Sequence, residues 1–261
     1  IAFGLGGLAL LAAFTIVELR TPEPMLDVRL LGDKLFGAAN VIQVVGNASI
    51  MGSFFLIPIF LQTQKGLSAF DVGLVTFPLA VGVALMAQPA AMLYPKIGPR
   101  RMLMFAFVGN AVLTASLALI DYETSSWLIA ASMFIRGMFF GFLFIPLQAA
   151  TFATITPEAT GRASSIFSVT RQVAASLGVA IFATALTNRL GFYDAALGDP
   201  ATRDGALSAF QATFLFAGAL SVLGIIAAML VDDEQALTAA GSEFAAAGEA
   251  PQLDYAQDAA G

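Results

Sequence analysis

The chain has no cysteine and no histidine among its 261 residues. The first absence removes disulfides, thiolate nucleophiles and thiolate metal ligands. The second removes the imidazole that serves as base in a Ser-His-Asp triad and as ligand in most zinc sites. No cofactor and no metal is therefore expected, and an intramembrane enzyme is the weakest reading, because no histidine base or embedded acid accompanies the serines and threonines. Charge is also scarce. Only 11% of residues are Asp, Glu, Lys or Arg, against 58% hydrophobic, where a soluble domain carries about 25% charged residues. So little polar surface cannot cover a water-facing globule, and the composition points to a polytopic membrane protein. Phenylalanine (23) and glycine (24) are abundant, and small residues allow helices to approach closely in lipid.

The net charge of −6 is unevenly placed. Seven acids lie in the stretch 232–261 with no base, which leaves +1 for the rest. This Ala-, Gly- and acid-rich tail is expected to be disordered. No basic cluster points to nucleic acid.

A membrane-crossing helix needs about 20 apolar residues. Seven stretches qualify, at 1–19, 36–61, 72–94, 102–120, 127–151, 163–187 and 206–231. They are continuous apolar runs without strict alternation, which favours helices over a barrel. Ser68 and Asp71 are spaced as a capping box for the third span, and Trp127 stands where an interface anchor would. Connectors alternate sides of the membrane. One set holds Arg20, Arg29, Lys34, Lys96, Arg100, Arg101 and Arg162; the other holds only Lys65, Arg189 and Arg203. The positive-inside rule puts the first set, and hence the tail, in the cytoplasm of an inner (plasma) membrane. The chain opens at Ile1 directly in apolar sequence and reads as a piece of a longer protein.

Within "ASMFIRGMFFGFLFIPLQAA" (131–150) sits Arg136. It lies nine residues past Trp127, roughly 13 Å into a core about 30 Å thick. That is too deep for the side chain to snorkel out. Two readings are open: a structural arginine satisfied by backbone carbonyls, or a charge on a wet cavity. Gly137 and Gly141 form a small-residue face, Pro146 can bend the helix, and Phe140 shares the arginine's stripe. Asn40, Gln43 and Asn47 lie on one face of the second span, which must meet another helix or water. Phe54 continues that face, and Pro58 would bend the helix near its outer end. No Asp or Glu sits centrally in any span; Glu18 is at an edge. Any proton-titrating acid is expected outside this chain.

Four stretches, taken together, resemble the fourteen-span drug:proton antiporters of the major facilitator superfamily. They are "IPIFLQTQKGLSAFDVGLVTFPLA" (57–80), "AMLYPKIGPRRML" (91–103), "RGMFFGFLFIPL" (136–147) and "GRASSIFSVTRQVAASLGVAIF" (161–182). The resemblance implies an all-α membrane protein whose residues 1–19 are the last linker helix between two halves. Residues 20–35 would be a cytoplasmic connector, and 36–231 the carboxy-terminal six-helix domain. It also implies the superfamily's cytoplasmic loop motif, with Leu93, Lys96, Gly98 and Arg100 matching and Arg101 adjoining. Ala91 and Pro95 replace a glycine and an aspartate of that motif, so only the basic residues carry over. The mechanism implied is rocker-switch alternating access: export of a small amphipathic substrate against protons, together with a missing amino-terminal half. Arg136, Asn40, Gln43, Asn47, Phe54 and Phe140 would line the substrate cavity. Same-fold export of a lipid, sugar or metabolite, or a non-transporting sensor or scaffold, remain as alternatives.

Overall fold

In the computed structural model, residues 27–229 are described, together with Gly7, Val17, Val231 and Asp233. The expected helix 1–19 and the expected disordered tail 232–261 thus lie almost wholly outside the described residues. A short 3-10 turn, Val28–Gly32, leads into α1 (Lys34–Thr63). There follow α2 (Ala69–Thr76), α3 (Pro78–Ile97), α4 (Pro99–Ser116), α5 (Ser126–Phe152), α6 (Thr160–Phe192) and α7 (Arg203–Ala228). Among the described residues there is no strand. Counting α2 and α3 as one, six helices are long and apolar enough to cross a membrane.

Local chemistry sets the ends. The Asp33 carboxylate accepts from the Phe36 amide at 2.8 Å and caps α1. Ser68 caps α2, its hydroxyl accepting from the Asp71 amide at 3.2 Å and donating to the Asp71 carboxylate at 2.7 Å. The corner between α3 and α4 is Gly98, at φ +86°, followed by Pro99 as the first residue of α4. Glycine tolerates the left-handed turn that ends one helix, and proline, which has no N–H to leave unpaired, starts the next.

Two boundaries depart from the sequence reading. The span expected at 72–94 is interrupted at Phe77, between α2 and α3. Pro78 cannot continue the hydrogen-bond ladder, and the chain bridges the joint with a tighter bond from the Ala80 amide to the Phe77 carbonyl. The sixth span runs on to Phe192 rather than stopping at 187. Backbone bonding carries a helix past the last apolar residue as long as no breaker intervenes.

The helices pack in three main pairs: α3 along α5, α1 along α6 and α4 along α7. Each seam has a glycine where the partner helix comes close. A Cβ at Gly137 of α5 would lie 2.9 Å from the Leu79 carbonyl carbon of α3. One at Gly178 of α6 would lie 2.6 Å from the Ala48 Cα of α1, and one at Gly218 of α7 would lie 3.1 Å from the Ala115 Cβ of α4. Between the pairs lies a phenylalanine-rich core, with Phe60 set edge-on to Phe210 and Phe214 at 5.4 and 6.0 Å. Away from it, Phe105, Val112, Leu119, Leu215, Leu223 and Ile226 are exposed. Apolar surface left outside in this way is what a bundle immersed in hydrocarbon presents. Trp127 is also exposed, at the start of α5, as an interface anchor requires.

Candidate functional site

Arg136 comes from the first half of α5 and is 1% exposed. It faces inward because Gly137 and Gly141, on the neighbouring side of the helix, hold α5 against α3. Its Nε donates to the Asn110 side-chain oxygen at 3.2 Å. The Asn110 amide nitrogen donates to the Ser221 hydroxyl at 3.0 Å, and Ser221 lies 2.7 Å from the Ser49 hydroxyl. Ser221 also bonds to the Ala217 carbonyl at 3.2 Å. With its single proton used there, Ser221 accepts from both Asn110 and Ser49. A buried polar chain therefore links α5, α4, α7 and α1 across the middle of the bundle, all of its members being 2% exposed or less.

The other two guanidinium nitrogens have no hydrogen-bond partner among the described residues. They belong to a side chain bordering a narrow crevice too tight for a water molecule, lined also by Ile50, Phe54, Ile57, Leu79 and Phe140. The Phe140 ring lies under the guanidinium, its centroid 5.5 Å from the Cζ, and Phe54 meets Phe140 at 6.3 Å. Phe54 is the most open residue of the lining, 36% exposed where the others are buried. It stands at the mouth. Pro58, one turn on, has no N–H for the Phe54 carbonyl, so the α1 backbone is polar at that same point.

Of the six residues expected on one cavity, Arg136, Phe54 and Phe140 are brought together. The amides of α1 are not part of that cluster. Asn40 and Asn47 are buried and bond back to their own helix, each donating to the carbonyl four residues earlier (Phe36, 2.9 Å; Gln43, 3.3 Å). Gln43 is buried with neither side-chain polar atom paired. They sit one to three turns earlier along α1 than Ile50, at another level of the bundle. Pro58 and Pro146 lie inside α1 and α5, which run on past them.

Asn110, Ser221 and Ser49 were not singled out from the sequence. A lone amide and two serines in apolar runs give no spacing signal; only the crossing of four helices joins them.

The basic loop residues Lys96, Arg100 and Arg101 flank the Gly98 corner. There the Arg100 amide donates to the Asp233 carboxylate at 2.8 Å. An acid from beyond the last helix therefore sits at the amino end of α4, where the helix dipole favours it, although the corner's own sequence has Pro95 and no aspartate.

The opposite end of the bundle carries a knot of three loops. Lys65 Nζ donates to the Tyr122 and Thr124 carbonyls, and Arg203 Nη2 donates to the Gln64 carbonyl at 2.6 Å. The Arg203 guanidinium stacks 4.2 Å over the Tyr122 ring, and the Tyr122 hydroxyl donates to Asp204 at 2.6 Å. That bond to a carboxylate, and the negative charge beside it, raise the Tyr122 phenol above its ordinary range. Thr124 donates to Asp121 and holds its carboxyl below the usual range. The sequence had shown Lys65 and Arg203 only as loop charges.

Six apolar spans paired along glycine seams make this a polytopic helical membrane bundle. The Major Facilitator Superfamily profile matches residues 2–179 and 41–252, and the chain belongs to that family. It is 27% identical over 207 residues to the MFS-type transporter YhcA of Bacillus subtilis, covering 78% of this chain and 39% of YhcA. It is 29% identical over 187 residues to a multidrug resistance protein B homolog of Mycobacterium tuberculosis (69% of this chain, 34% of the relative). It is 28% identical over 190 residues to the multidrug export protein EmrB of Escherichia coli (70% and 36%). The chain thus spans well under half the length of these curated relatives.

Proposed function

We propose that this chain is the carboxy-terminal half of a proton-coupled exporter of amphipathic drugs or toxic compounds, working by alternating access between two six-helix halves. The observation that carries the reading is Arg136: a guanidinium sealed into a membrane bundle with two nitrogens unpaired. Taking such an ion out of water costs several kcal/mol unless partners repay it. A protein that had no use for the charge would be more stable with a leucine there. Relatives named for multidrug export and resistance support the substrate class. Phe54 and Phe140 supply an apolar, aromatic wall for the body of such a compound, with Arg136 the one charge on it.

In this reading the Gly98 corner and the tail are cytoplasmic, and the Lys65–Tyr122–Arg203 knot is on the outer side. The missing amino-terminal half supplies the opposite wall of the path and the titrating acid, since no Asp or Glu lies centrally in any described span. The test is proton-driven flux of a panel of amphipathic compounds into vesicles holding the full-length protein, with Arg136→Ala beside wild type. Loss of flux in the variant, with expression and folding intact, is expected. Wild-type flux in the variant removes Arg136 from the path, and no proton-dependent flux for any compound in the wild type removes the exporter assignment.

A further inference from the structure

We infer that the free edge of Arg136 is a receptor for a carboxylate, reached through the mouth that Phe54 closes. The inference rests on the reading of this face as part of a solute path and adds the chemistry that the path recognises. Arg136 has its Nε committed to Asn110, so the group cannot turn away without breaking the polar chain behind it. What remains is Nη1 and Nη2, each an NH₂ group and neither paired. A planar fork of two adjacent donors matches the two oxygens of a carboxylate better than any single-atom acceptor. Nothing in the void competes for it: Ile50, Phe54, Ile57, Leu79 and Phe140 offer no side-chain acceptor. The Phe140 face under the guanidinium offsets part of the charge without using an N–H. The described residues thus present a positioned, half-satisfied cation whose complement is a carboxylate from elsewhere.

The crevice has no room for a water molecule, so a carboxylate reaches the fork only when the lining moves. Access comes at Phe54, the one lining residue with substantial exposure. Two sources can bring the carboxylate: a transported solute, or an Asp or Glu of the missing half.

The absence of cysteine from this chain allows a direct test. Phe54→Cys is placed in the full-length protein, with any cysteine outside this chain replaced. The new thiol is labelled with anionic sulfonatoethyl or cationic trimethylammonioethyl methanethiosulfonate, and each rate is divided by that of a free thiol. If a solute supplies the carboxylate, the fork is vacant. The anionic reagent is then favoured on the order of tenfold or more, and Arg136→Gln abolishes the preference. If the acid belongs to the other half, the ratio stays near unity and rises only when that acid is changed to Asn or Gln. A ratio near unity in every such background overturns the inference. Should Arg136→Gln fail to accumulate, excess benzoate must slow the anionic reagent, and benzamide must not, in whichever background favours that reagent; equal effects there also overturn the inference. Labelling needs no transport. Charge-selective labelling without flux leaves the receptor and removes the exporter reading, and flux with charge-blind labelling does the reverse.

Discussion

The seam between α3 and α5 can be tested by adding one carbon. A Cβ on Gly137 would sit 2.9 Å from the Leu79 carbonyl carbon and 3.0 Å from its Cα, with the oxygen nearer still. Ordinary carbon–carbon contact is about 3.5–4.0 Å, so the two helices must part by roughly 1 Å. The obstacle is backbone, which cannot rotate aside as a side-chain end could. A radial gap of that size forfeits about a quarter to a half of each pairwise dispersion contact along the seam. Overpacking of this kind costs about 1–3 kcal/mol, and more where the backbone must move. The better helix propensity of alanine returns at most about 1 kcal/mol. Gly137→Ala should therefore destabilise the full-length protein by about 2 kcal/mol. A chain of the relatives' length has a larger unfolding entropy, so at about 1–2 °C per kcal/mol Tm falls by roughly 2–4 °C, read by thermal unfolding in detergent. Gly73→Ala is the matched control, because a Cβ at Gly73 of α2 meets nothing within 4 Å; it should hold or raise Tm. Equal behaviour of the two variants would refute the close approach of α3 and α5.

The polar chain behind Arg136 gives a second expectation. Asn110→Ala strips the acceptor from a buried charged donor and should cost about 1.5–3 kcal/mol. Ser221→Ala should cost less, and a double-mutant cycle between them should show coupling above about 0.5 kcal/mol; additive effects would break the chain. At the opposite end, the Tyr122 phenol, raised chiefly by its bond to Asp204, should ionise above the ordinary value of about 10. A raised folded value means that the bond contributes fully below the unfolded pKa and is lost as pH climbs through the folded one. In phenolate absorbance, Asp204→Asn should move one late-titrating tyrosine to lower pH. The ion pair of Arg162 with Asp27 is 3.8 Å long and partly exposed. Arg162→Gln should change stability by less than about 0.5 kcal/mol, read as Tm.

Most of the architecture was legible because hydrocarbon imposes one rule on every span: about 20 apolar residues with their backbone bonded internally. That rule found the six described spans to within a few residues, and it missed the joint at Phe77–Pro78 because a single proline in an apolar run leaves mean hydropathy unchanged. Arg136 was legible by depth alone, and Gly137 by its spacing from Gly141. The partners of Arg136 were not. Asn110 is one amide in "FVGNAVL" and Ser221 one serine in "GALSVLG"; their meaning depends on which helices become neighbours, and span lengths do not fix that. The same holds for Lys65 and Arg203, whose loop partners lie between 57 and 139 residues away.

The polar groups left unpaired indicate where this bundle is incomplete. Ser49, Ser221 and Asn110 lie as deep as Arg136, and each has a hydrogen-bond partner. Packing of these helices can therefore satisfy buried polar atoms when they face the core. Among the described residues, Asn40, Gln64, Tyr94 and Thr114 each leave one buried side-chain oxygen unpaired, whereas Arg136 and Gln43 leave two atoms each, both terminal nitrogens on one and both amide atoms on the other. Buried donors of this kind each cost about 1–3 kcal/mol, and more when charged. Two open atoms on one buried side chain cost more than a single unpaired oxygen, so these are the two positions that the described helices leave least satisfied. They are the positions at which a wall from the rest of the protein, a solute, or water admitted during the transport cycle supplies what the described helices do not. Replacing both with leucine should therefore stabilise this half in isolation while abolishing flux in the full-length protein. A loss of stability on that double replacement would show instead that the two side chains are structural.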